Sequence, residues 1–81
     1  MTLNKAFAMI LTNILVDRGI SKYALEKKSG LSHSALRHIF NERNNEVKFS
    51  TIAKVAQALD MSLEEFFADK LFNLNELEFD N

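Results

Sequence analysis

The sequence predicts an all-α fold of five helices, and three observations carry that reading. Apolar residues recur at three- and four-residue spacing in successive windows, the period of a helix buried on one face. Alternating polar and apolar runs of strand length are nearly absent. There is no proline, and the two glycines, Gly19 and Gly30, each follow an apolar-periodic run.

The first helix is expected over 2–18. Leu3, Phe7, Ile10, Leu11, Ile14 and Leu15 form its stripe, and Met9 and Val16 widen it, which predicts a helix packed between other elements. Thr2 or Asn4 is placed to cap it. Arg18 suits the negative end of its dipole, and Gly19 suits the left-handed exit. The second helix covers 21–29, with Ser21 as N-cap and Ala24 and Leu25 inward; Ile20 can staple its start. Lys22, Lys27 and Lys28 are left in water. Ser29-Gly30-Leu31-Ser32 breaks that helix, and Ser32 caps a third over 32–41. Ala35, Leu36, Ile39 and Phe40 form its core side, and His33, Ser34, Arg37, His38 and Asn41 its outer side.

Residues 42–48 read as a polar loop, with Asn44 and Asn45 tolerant of positive φ. A fourth helix follows over 49–59, striped by Ile52, Val55, Ala56 and Leu59, with Phe49 at its entry. Lys48 is a poor cap for it, and capping by Ser50 would shorten it by a turn. After Asp60-Met61, Ser62 caps a fifth helix, with Glu65 at the capping-box spacing and Leu63, Phe66 and Phe67 as apolar residues. The phenylalanines at 7, 40, 49 and 66 are assigned to the core. The tail 69–81 is too apolar for a disordered end and too acidic to touch a polyanion. Asn73 with Glu76 fits a capped last turn, and Leu77-Glu78-Phe79 alternates like a short strand. The expected division is a domain over 1–68 and a tail over 69–81.

At 81 residues the chain is one domain. The absence of cysteine removes a disulfide framework, a thiolate metal site and a cysteine nucleophile; an intracellular, cytoplasmic place fits that absence. There is no apolar run of bilayer length and no convincing signal peptide. His33 and His38 are five residues apart, about 140° around a helix, so they are not a metal pair. No clustered histidine–carboxylate set, glycine-rich phosphate loop or nucleophile elbow is present, so neither catalysis nor a cofactor is expected. The net charge is −1, but it is unevenly spread. Residues 1–48 hold eight basic and four acidic side chains, and residues 49–81 hold two basic and seven acidic. A phosphate-binding surface needs local positive charge, not global.

Two short helices joined by a tight turn at Gly30 carry the helix-turn-helix signature. Such a pair cannot bury its own apolar faces, so the flanking helices must support it. The order GIS-KYALEKKSG-LSHSALRHIFNER followed by KFSTIAKVAQALDMSLEEFF resembles the phage-repressor-like (Cro/repressor, XRE-type) DNA-binding domains over about residues 8–68. The specific parts are Leu25, Gly30, Leu31-Ser32 and Leu36, then Ile52, Val55-Ala56, Ala58-Leu59, Met61-Ser62-Leu63 and Phe66. The resemblance implies a five-helix, lambda-repressor-like bundle with a short C-terminal extension, whose third helix reads the major groove of double-stranded DNA. The family usually has alanine where this chain has Glu26, which must find a partner or tilt outward. It often has glycine after the third helix, where Arg43-Asn44 stand, and proline before the fourth, where Val47 stands.

By that resemblance, base contacts come from Ser32, His33, Ser34, Arg37, His38 and Asn41. Arg37 suits bidentate pairing with guanine, and Asn41 reads adenine or touches only the backbone. Phosphate contacts come from Ser21, Lys22 and Tyr23 at the second helix N-terminus and from Arg43, Asn44, Asn45 and Lys48. Tyr23 reads equally as a half-buried core residue. Phe67, Phe72 and Phe79 exceed what so small a core should hold, which suggests a homodimer interface on helix five and the tail, at Leu63, Phe66, Phe67, Leu71 and Phe72; the other reading is a monomer whose tail covers its own core. The expected function is a small transcriptional regulator, a repressor on a palindromic operator. The alternative is a protein-interaction module, such as an antitoxin subunit, that keeps the fold.

Overall fold

The computed structural model describes residues 1–41 and 46–78. It contains five α-helices: α1 (Leu3–Arg18), α2 (Lys22–Ser29), α3 (His33–Phe40), α4 (Phe49–Ala58) and α5 (Leu63–Phe67). Two short 3-10 turns follow, Lys70–Phe72 and Leu74–Glu76. No strand forms among the described residues, and none of the helices is long and apolar enough to cross a membrane. The expected all-α bundle is therefore the observed one.

Local chemistry starts each helix. The Thr2 hydroxyl accepts from the Lys5 amide at 3.2 Å, Ser21 from Ala24 at 3.0 Å, and Ser32 from Ala35 at 3.0 Å. Each hydroxyl satisfies one of the amides a first turn leaves without a partner. Of the two candidates for α1, Thr2 is the cap. At α4 the backbone makes Lys48 the N-cap, and no side chain caps it. Ser50 lies inside the helix.

Two helix exits share one geometry. After α1, Gly19 takes φ 64°, the Ile20 amide donates to Leu15 and the Gly19 amide to Val16. After α4, Asp60 takes φ 55°, Met61 donates to Ala56 and Asp60 to Gln57. Both are Schellman exits, and an aspartate fills the left-handed position at the second. Gly30 takes φ 72° in the turn between α2 and α3, where a Cβ would meet no neighbour. Its requirement is backbone conformation alone, worth about 1–2 kcal/mol against an L side chain.

The core is Phe7, Ile10, Leu11, Leu15, Leu25, Leu36, Ile39, Val55, Ala56, Leu59 and Phe66. It draws on every helix. α1 packs against α3 and against the turn Lys70–Phe72, α2 packs against α4, and α4 against α5. The two helices of the motif therefore rest on different supports. From the end of α1 the Arg18 guanidinium donates to the Leu59 carbonyl, closing the open end of α4.

Four expectations are corrected here. Met9 and Val16 do not widen the buried face; they are 40% and 73% exposed, because the elements around α1 cover only the side bearing Phe7, Ile10 and Leu11. Phe49 is 65% exposed at the start of α4 and is not core. Phe40 is half-buried. Phe66, placed above on an intermolecular surface, is 1% exposed within the single chain, with its ring 5.5 Å from that of Phe7. It is a core residue and is unavailable to a partner.

The tail folds back. Leu71 and Phe72 are half-buried against the core, and the Phe72 ring lies tilted against those of Phe66 and Phe67 at 6.0 and 4.9 Å between ring centres. Asn73 caps the last turn by accepting from Asn75. Beyond it Glu78 forms an isolated parallel bridge with Thr2, its amide donating to the Met1 carbonyl at 2.8 Å. A capped turn and a fragment of strand pairing thus occur in succession. Phe79 lies outside the described residues.

At α5 the capping box is complete: Glu65 donates its amide to the Ser62 hydroxyl, and its carboxylate accepts the Ser62 amide at 3.1 Å. The backbone amide of Ser62, then its hydroxyl, hold the Glu65 carboxyl below its ordinary range; desolvation opposes them, and the charge of Arg18 adds the smallest lowering effect. A depressed folded value means the cap stabilises fully above the unfolded glutamate range and is lost as pH falls through the folded value. Glu65→Gln, which keeps an acceptor without the titration, is therefore expected to flatten the acidic limb of the stability profile. Urea midpoints from pH 7 down to 3 measure this; an unchanged acidic limb would remove Glu65 from the acid response.

Candidate nucleic-acid interface

The site follows from how α3 is divided. Leu36 and Ile39 are buried at 4% and 3% exposure, and Ala35 and Phe40 are half-buried. His33, Ser34, Arg37 and His38 are all exposed, as are the flanking caps Ser32 and Asn41. A helical period of 3.6 residues puts the first group on one side and the second on the other. The inner side packs on α1, so the outer side is presented to solvent.

Two concavities flank this helix. One is a groove between α2 and α3, lined by Lys22, Tyr23, Glu26, His33, Arg37 and Asn41 among others. Two side-chain contacts bridge it. At one end the Lys22 ammonium sits 4.0 Å from the centre of the Phe40 ring, a cation–π contact. At the other, Nδ1 of His33 lies 3.3 Å from Oε1 of Glu26. Glu26 thus finds a partner instead of tilting outward; its side chain is 18% exposed. Glu26, standing where the family usually has alanine, therefore has a place within the motif.

The second concavity lies between the turn before α3 and the start of α4. It is lined by Gly30, Ser32, Lys48, Ser50, Thr51 and Lys54 among others. Nε2 of His38 contacts the Glu46 carbonyl at 3.0 Å, tying the last turn of α3 to the end of the following loop. The start of α4 adds the positive end of its dipole, uncapped by any side chain, to Lys48 and Lys54. Ser50, Thr51 and Lys54 were not among the phosphate-binding residues expected from the sequence, where Ser50 figured only as a possible cap. Their signal was a lysine one turn inside a helix with a weak cap.

The structure brings His33, Ser34, Arg37, His38 and Asn41 to one groove, while Ser32, the N-cap of α3, is exposed beside the other concavity. It places Ser21, Lys22 and Tyr23 together at the α2 N-terminus. Tyr23 is 66% exposed, so it is not a half-buried core residue; the Lys27 ammonium lies 5.3 Å from its ring centre. Lys48 stands on the opposite flank of α3. Arg43, Asn44 and Asn45 lie outside the described residues.

Two short helices joined at a left-handed glycine, with the second exposing a polar face on a supporting bundle, define a helix-turn-helix domain. The model of the Cro/C1-type HTH DNA-binding domain matches residues 11–70, and the chain belongs to that family. It is a DNA-binding regulator by that membership. Neither a curated protein nor a solved structure matches the chain.

Proposed function

We propose that this regulator is a repressor that binds a palindromic operator as a homodimer, laying α3 in the major groove. The observation that supports it best is the division of α3, with an apolar side held by the core and an exposed side bearing hydrogen-bonding groups. On this reading His33, Ser34, Arg37, His38 and Asn41 face base edges, with Ser32 at the entry. Ser21, Lys22 and Tyr23 hold one phosphate strand, and Lys48, with Arg43 and Asn44, holds the other. The α4 N-terminus and Lys54 add to the second set.

Homodimerisation runs through α5 and the tail. Leu63, Phe67, Leu71 and Phe72 remain in this role. Phe67 is 37% exposed, and Leu74 beyond it is 65% exposed. Acidic residues around them keep this surface away from DNA. The protein acts in the cytoplasm, at the nucleoid.

The test is selection of bound sequences from a random duplex pool, with sedimentation of wild type and Phe67→Asp alongside. Two inverted half-sites about one helical turn apart, roughly 34 Å, are expected, together with a dimer that Phe67→Asp weakens. No duplex retained at low salt would end the operator reading. A monomer for wild type and variant at micromolar concentration, with a single half-site, would end the dimer.

A further inference from the structure

We infer that Glu26 fixes the hydrogen-bonding identity of His33 and so decides which base the first turn of α3 reads. The inference rests on the groove-reading role proposed above and deepens it. The His33 side chain is 74% exposed, while that of Glu26, 18% exposed, forms part of the wall of the same groove. Nδ1 faces the carboxylate at 3.3 Å. A ring-nitrogen lone pair at that distance from a carboxylate would be repelled, so Nδ1 carries the proton.

The chemistry of the other nitrogen follows. In a neutral imidazole protonated at Nδ1, Nε2 is an acceptor. An acceptor in the major groove selects a base that offers an amino group there, adenine through N6 or cytosine through N4. The opposite tautomer would present an N–H and favour guanine or the O4 of thymine. Glu26 therefore acts through His33 and is a positioning residue. The other titratable groups lining the groove among the described residues are Lys22 and Tyr23 from α2 and Arg37 and His38 from α3. None of them is the group at His33 Nδ1.

The same arrangement explains why a carboxylate is tolerated beside a polyanion site. Its charge is turned onto the imidazole and withdrawn into the wall between the helices. Alanine, usual here in the family, would leave the ring of His33 without this partner and free to adopt either tautomer.

The test pairs nitrogen-15 NMR of the His33 ring in the DNA-free protein with selection from a random duplex pool. Both are run at about pH 8, where imidazoles are neutral. Wild type, Glu26→Ala, Glu26→Gln and His33→Ala are compared; the glutamine keeps the side-chain volume should the alanine variant fold poorly. The Nδ1–H tautomer is expected in wild type and a shift toward Nε2–H in Glu26→Ala. At one base pair of each half-site, preference for the amino-bearing base should fall about fivefold in Glu26→Ala, the worth of one hydrogen bond. It should be the same base pair that His33→Ala affects, with the remaining positions unchanged. An Nε2–H tautomer in wild type, an unchanged selection profile, or a change at a position His33→Ala leaves alone would overturn the inference while DNA binding stands. Failure of wild type to retain any duplex would overturn the groove-reading role as well, whatever the tautomer.

Discussion

Phe66→Ala is expected to lower the stability of the domain by about 3–5 kcal/mol, the range for deleting a fully buried aromatic ring. The ring is 1% exposed and meets three others: Phe7 edge-on at 5.5 Å, Phe67 at 5.7 Å and Phe72 at 6.0 Å. Its removal leaves a cavity where α1, α5 and the tail converge. A domain of this size has a total stability of about 4–12 kcal/mol, so the variant should lose a large part of it. Urea denaturation measures this as a lower midpoint with an unchanged slope. A loss under about 1 kcal/mol would put the ring back at the surface and return it to the set of intermolecular contacts. Phe67, its neighbour in sequence, is the informative contrast. More than a third of it is exposed, so changing it should act more on self-association than on folding.

Arg37→Ala is expected to cost about 1–3 kcal/mol on the preferred operator and little on unrelated duplex. Arg37 projects from the exposed side of α3, one residue past Leu36, so it stands beside the core without being part of it. A planar guanidinium there matches the two acceptors of guanine, a pairing that lysine cannot reproduce. Lys22→Ala should behave differently. It removes a charge at the α2 N-terminus and should weaken all sequences alike, reducing the salt slope by about one. Titrating both variants against operator and random duplex at two salt concentrations separates the effects. If Arg37→Ala weakens all duplexes equally, Arg37 touches phosphate and the base-reading set must be redrawn.

Much of this fold was legible because its signals are local. Ser21, Ser32 and Ser62 each act within three residues of their own position. Gly19 and Gly30 were readable as exits because the chain there needs a left-handed residue. The inner side of α3 was readable from period alone, and its outer side followed. What escaped notice depends on contacts between distant segments. Arg18 was assigned to the end of its own helix, yet it serves α4, whose Leu59 lies 41 residues on. Asp60 gives no strong signal for a left-handed residue, and its conformation follows from how α4 must turn toward α5. The partner of Glu26 was not legible either, since α2 and α3 set that distance together. Phe49 and Phe66 share a residue type and lie on apolar-periodic helices. Only the packing of α5 against α4, with α1 and the tail beyond, separates the exposed ring from the buried one.

The separate footing of the two motif helices has one more consequence. α2 leans on α4, α3 leans on α1, and the pair itself is clasped by Lys22 on Phe40 and Glu26 beside His33. The angle between the helices is therefore a property of the whole bundle. Residues 21–41 transplanted into another scaffold would carry the alphabet of contacts without the spacing that makes it readable. On the proposed groove-reading role, recognition would not be portable as a segment; it would move only with the α1 and α4 that hold it.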